Sequence, residues 1–241
     1  LFRSDAFLNA ASDFNIGDVG IGESLFFMEG GTVTCGNYFV GKNTGTSGVL
    51  IQTGGTIAKN GGGEGRIGAQ AAGVYGAHYL MGGTFNNNAG NFQVGGAGYG
   101  LLEISGGASS TMAGWTAVGR FESDTDQESV GLLDIRDGTL TCNGPGGAIF
   151  AAEEGIGVIN IHPAGNLIAE KSLRLGGGIA DTKPGTGTVN LLGGTITVNN
   201  IDQTNNAFAD GTLNLDGGTI VARLTTTTFL QGLDRPHVRP G

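Results

Sequence analysis

Glu103 and Asp134 are the two residues best placed to do chemistry. They hold equivalent positions in neighbouring repeat units, in a column that reads Phe27, Ile51, Tyr79, Glu103, Asp134, Asn160, Asn190, Asn214. If the units are stacked strands, the two carboxyl groups stand about 5 Å apart, close to the separation used by retaining glycosidases. Arg136 weighs against catalysis. It lies two residues from Asp134 on the same outward face, so the three side chains read as a solvated charge group. The expectation is therefore a chain with no catalytic residues, with Glu103 and Asp134 as the only candidates for an acid/base pair.

The rest of the column changes character along its length. Phe27, Ile51 and Tyr79 form an outward apolar stripe on successive units, which a protein partner, a second copy, an adjacent domain or a sugar chain would cover. Asn160, Asn190 and Asn214 form an amide ladder whose side chains bond along the stacking axis, a structural role. Asp124, Asp126 and Glu128 are clustered in the longest loop and could hold Ca²⁺, but they lack EF-hand spacing and read as a solvated acidic loop, so no cofactor is expected. His78, His162 and His237 form no metal triad. Gly63-Glu-Gly65-Arg-Ile-Gly68 matches G-x-G-x-x-G by chance, since no helix is expected after it.

These positions are comparable because the chain repeats. A glycine followed seven residues later by a Gly-Gly-Thr-like corner recurs at Gly48, Gly76, Gly100, Gly131, Gly187 and Gly211, with degenerate copies at Ser24 and Gly157. Between the markers, apolar and polar residues alternate with the period of a strand buried on one face. Phe26, Leu50, His78, Leu102, Leu133, Ile159, Val189 and Leu213 form one inward column, with Met28 through Leu215 forming the next. A second strand is inward at Val33, Ile57, Phe85, Leu140, Ile196 and Ile220. A third carries apolar-Gly pairs such as Val40-Gly41 and Ile67-Gly68.

Three short strands per unit, turned at glycine corners, predict an all-β fold. It is a single-stranded parallel β-helix, a triangular β-solenoid of about eight coils over residues 16–224. Residues 1–15 are expected as an N-terminal cap or linker. Residues 225–241 are expected as a C-terminal cap or the start of a further segment. Phe121–Val130 and Ile201–Asp210 are expected as surface loops. Cys35 and Cys142 share a column but lie four coils apart, about 19 Å, too far for a disulfide.

Composition narrows the partners. Gly supplies 49 of 241 residues, against a usual share of about 7%. The net charge of -9 repels a phosphate backbone, so nucleic acid is not an expected partner. No apolar run approaches the ~18 residues of a membrane span, and direct insertion is not expected.

Phrases such as Gly211-Thr-Leu-Asn-Leu-Asp-Gly-Gly-Thr-Ile220, and the run Val94–Gly107, resemble the repeat of autotransporter passengers and of PEP-CTERM-associated exported bacterial proteins. The resemblance covers about residues 14–223. It implies a β-helical passenger, extracellular or at the cell surface, with an adhesive or structural role and no shared catalytic site. The main alternative is a polysaccharide-active enzyme or glycan-binding module on the same scaffold.

Overall fold

The computed structural model of the protein describes residues 1–71, 73–120, 129–144, 146–177, 185–203, 209–225, 228–233 and 235–238. All regular elements among them are strands, paired in parallel and stacked in about eight turns. The fold is the expected β-solenoid, with three faces. The first face carries the strands Gly22–Met28, Thr46–Gln52, Tyr75–Leu80, Tyr99–Ile104, Val130–Ile135, Ile156–Ile161, Gly185–Leu191, Ala209–Leu215 and Arg235–Val238. The second runs from the front half of Thr32–Val40 through Thr56–Lys59 to Thr219–Ala222. The third runs from the back half of Thr32–Val40 through Gly65–Ile67 to Leu230–Gln231. Because Thr32–Val40 bridges two faces without a break, those faces form one continuous sheet.

The register follows the sequence columns residue for residue. Leu50 pairs with His78, His78 with Leu102, Leu102 with Leu133 and Leu133 with Ile159. Stacking places each inward residue directly over its counterpart, and one apolar core runs along the axis. Full burial of side chains such as Leu102 and Ile104 stabilises by roughly 1.5–3 kcal/mol each.

Glycine holds nearly every described corner where the third face turns into the first. Gly41, at φ 65, donates its N–H to Ile16 O at 2.7 Å, a bond repeated at Gly68 and Gly95. A Cβ on Gly41 would meet Tyr75 O at 2.1 Å, and one on Gly76 would meet Val40 O at 2.0 Å. Backbone passes too close for any side chain there. Ala152 occupies the equivalent corner at φ 64, donating to Val118 O at 2.8 Å.

Several expected boundaries shift. Phe7–Ile16, most of it assigned to a cap or linker, is a strand lying along Thr32–Val40 with one register shift between Ala10 and Asp13. Phe2 bridges Met28 on the first face. The first sixteen residues thus trace a further coil that lacks the glycine marker. At the other end, Leu230–Gln231 and Arg235–Val238 continue the third and first faces. Val130, Ile201 and Asp210, assigned to loops, are strand residues.

Candidate functional site

The outer surface of the first face carries three parallel columns of side chains. The column read from the sequence is intact: Phe27, Ile51, Tyr79, Glu103, Asp134, Asn160, Asn190 and Asn214 are consecutive register partners. Two residues earlier on each strand stands a second column, Leu25, Val49, Ala77, Leu101, Leu132 and Val158. Two earlier still come Ser47, Tyr75, Tyr99, Val130 and Ile156. The Phe27–Ile51–Tyr79 stripe is therefore one margin of an apolar face. Its own side chains are half-buried, whereas Leu25 and Tyr75 are 67% and 55% exposed.

Ala77 makes a shallow trough in that face, bounded by Val49, Tyr75, Tyr99, Leu101 and Val130. The Tyr75 and Tyr99 rings stack beside it, 4.8 Å apart and 10° from parallel. Beyond Val158 the same columns turn polar, with Thr186, Thr188, Asp210 and Thr212.

Glu103 and Asp134 are brought together on adjacent rungs, as the spacing predicted. They share one cation: Arg136 Nε lies 3.2 Å from Glu103 Oε2 and 2.9 Å from Asp134 Oδ2. Asp134 is only 6% exposed, and its Oδ1 accepts from His162 Nε2 at 2.9 Å and Asn160 Nδ2 at 3.2 Å. Ser105 Oγ donates to Glu103 Oε1 at 3.0 Å. This charge group is more buried and more fully bonded than the solvated cluster expected. With both Asp134 oxygens engaged and Glu103 held to the same guanidinium, the pair is arranged as an ion network.

His162 had no partner in the sequence reading. It sits two residues past Asn160, level with Arg136 in the register, so extending the column comparison past the strand end would have found it.

The asparagine ladder forms with one direction. Asn214 Nδ2 donates to Asn190 Oδ1 at 2.7 Å, Asn190 to Asn160 at 2.8 Å, and Asn160 to Asp134. A charged acceptor at the head polarises the amides behind it.

Inside the rod, His78 and Gln52 of the inward columns join Tyr38 in a second polar network. Tyr38, Gln52 and His78 are fully buried. Gln52 Nε2 donates to Gly55 O and Thr84 O, which leaves Gln52 Oε1 to accept from His78 Nε2 at 3.3 Å. His78 Nδ1 then accepts from Tyr38 Oη at 3.0 Å. Burial pushes the imidazole down to about 3 and the Tyr38 phenol well above its ordinary value. Lys59, also fully buried, gives its ammonium to the carbonyls of Gly61, Gly63 and Ala89, and burial pushes it down to about 8.

The remaining faces differ in chemistry. The second presents Thr32, Thr56, Thr84, Ser109, Thr139, Asn166, Thr195 and Thr219 in one outward column. The third carries ion pairs. Arg120 contacts Glu64 at 3.1 Å and Glu153 at 2.9 Å while lying 4.4 Å over the Trp115 ring, and Arg174 contacts Asp202 at 3.2 Å.

Asp124, Asp126 and Glu128 lie outside the described residues. Among the described residues, no group of three or more His, Cys, Asp or Glu converges as metal ligands. Gly65–Ile67 of the G-x-G-x-x-G run is a third-face strand. No described helix is long and apolar enough to cross a membrane.

The class that the fold defines is a parallel β-solenoid with an apolar, a hydroxyl-bearing and an ion-paired face. Comparison with protein-family models, with curated proteins and with solved structures gave no match.

Proposed function

We propose that the chain is a non-catalytic, extracellular structural or adhesive segment of a larger secreted or surface-displayed bacterial protein, which acts by docking protein on its first face. The observation that carries this reading is the chemistry of the two columns from Ser47 and Val49 to Ile156 and Val158: ten outward side chains, none of them charged. All-parallel sheets are ordinarily covered on both sides, and an apolar outer face needs a cover that a hydroxyl-bearing face does not. The second face of the same rod supplies the contrast. The repeat's resemblance to exported bacterial passengers supports the extracellular placement, and the negative net charge supports exclusion of nucleic acid.

The second reading, a glycan-binding or polysaccharide-active module, draws on one observation, the stacking of exposed Tyr75 on half-buried Tyr99 beside the Ala77 trough. Stacked aromatic rings can carry a sugar face. The trough's scarcity of hydrogen-bonding side chains counts against it, because specific sites place a few polar groups among apolar ones. A polysaccharide panel assayed with the wild-type chain and Glu103→Gln, together with a glycan array, separates the readings. The scaffold reading expects no cleavage and no glycan retained. Cleavage lost in Glu103→Gln, or glycan binding lost in Tyr75→Ala, would replace it.

A further inference from the structure

Resting on the reading of the first face as a protein-docking surface, we infer that its occupant is a second copy of this chain, packed sheet against sheet. Three observations converge on that partner.

The first is charge. The chain carries a net charge of -9, so two copies repel unless they meet on neutral ground. The third face carries Glu64, Arg66, Arg120, Glu153, Arg174 and Asp202. The first face, over the five rungs from Thr46–Gln52 to Ile156–Ile161, is uncharged in two of its three columns, with Glu103, Asp134 and Arg136 confined to one margin.

The second is area. Five rungs at about 4.8 Å, by five residues at about 3.3 Å with van der Waals margins, give a footprint of roughly 450–500 Å² per copy. Two copies bury about 1,000 Å², the lower bound for a specific association. A dimer of micromolar strength follows, since a patch of that size has little surplus after the cost of association.

The third is shape. An isologous contact needs a surface complementary to itself. A regular parallel sheet bearing level ranks of Val49, Leu101, Leu132 and Val158, with a depression at Ala77 between Val49 and Leu101, can receive the same ranks from a facing sheet at about 10 Å, the spacing of aligned sheet packing.

The test is sedimentation velocity of the whole chain over a concentration series from about 1 to 200 µM, a range spanning association of this strength. The wild type should pass from monomer to dimer and stop there. The double variant Leu101→Thr/Leu132→Thr should weaken dimerisation about tenfold or more while folding normally, because Thr188 and Thr212 hold that column in later rungs. Thr141→Lys, on the second face, should dimerise as the wild type does. As a second measurement, Ala77→Cys should give a dimer with a bismaleimide cross-linker long enough to span facing sheets about 10 Å apart, since Cys35 and Cys142 are buried and do not compete.

A monomer at every concentration overturns the inference while leaving a different protein partner open. A dimer untouched by the double variant, or growth past dimer into filaments, also overturns it by locating self-association elsewhere. Failure of the docking reading itself registers separately, as glycan retention or cleavage in the experiments above.

Discussion

Glu103 and Asp134 meet the same Arg136 Nε at 3.2 and 2.9 Å, and that shared guanidinium changes what two adjacent carboxylates can do. An acid/base pair needs one group free to hold a proton and another free to face substrate. Here Asp134 also closes the asparagine ladder and accepts from His162. Removing it leaves Asn160 and His162 without their acceptor while Arg136 keeps Glu103, whereas removing exposed Arg136 leaves an ion pair to be replaced by water.

Asp134→Ala should therefore destabilise by about 1.5–3 kcal/mol, the usual contribution of hydrogen bonds to a charged group. Arg136→Met should cost less than about 1 kcal/mol, because its guanidinium is largely in water. Urea unfolding of the two variants checks the ranking.

The buried histidine sets a pH dependence. His78 is held at about 3 in the folded chain, against about 6.5 when unfolded. Between those values the unfolded chain binds a proton that the folded chain refuses, so stability falls as pH drops from about 6.5, by up to about 1.4 kcal/mol per pH unit. His78→Leu, which copies Leu50 and Leu102 in the same column, should remove this contribution. Its absolute stability should nonetheless fall, because Tyr38 Oη and Gln52 Oε1 lose their partner. Unfolding curves between pH 7 and 4.5 for the two proteins give the difference.

Ala152 and Gly95 occupy the same corner with opposite consequences. Left-handed backbone costs an alanine about 1–2 kcal/mol, partly offset by the extra freedom glycine gains on unfolding. Ala152→Gly should be neutral or stabilising by up to about 1 kcal/mol. Gly95→Ala should cost more than about 2 kcal/mol, since its Cβ would lie 2.3 Å from Val130 O. Thermal melts of both variants decide this.

Burial pushes the Cys35 thiol up to about 11 and the Cys142 thiol up to about 12. Neither should react with a thiol-directed disulfide reagent at pH 8 in the native state, because the thiolate is the reactive form. Both should react in denaturant. Rapid native labelling of either would mean that the core opens locally.

The columns were legible because a parallel solenoid stacks equivalent residues directly, so a fixed seven-residue glycine spacing aligns every rung. Leu1–Ile16 escaped because it lacks that marker, although Phe7 pairs with Thr32 and, past one register shift, Ile16 pairs with Val40. Lys59 stands in an inward column between Cys35 and Asn87. Its burial depends on three turn carbonyls that no strand pattern reveals. The breadth of the apolar face was hidden for a related reason. Leu101-Leu102 and Leu132-Leu133 look like a fully buried strand when read along the chain; alternation turns Leu102 and Leu133 inward, and the register then sets Leu101 and Leu132 in one outward rank with Val49, Ala77 and Val158.

The claim that the first face is where this molecule acts is tested most directly by hydroxyl-radical footprinting of the protein on the cells that produce it, compared with the isolated chain at low concentration. The account predicts strong protection of Tyr75, Leu101 and Leu132 on the cell, with Met81, exposed at the adjoining corner, modified equally in both. Equal modification of all four residues in both settings would show the face bare in its native context and contradict the account.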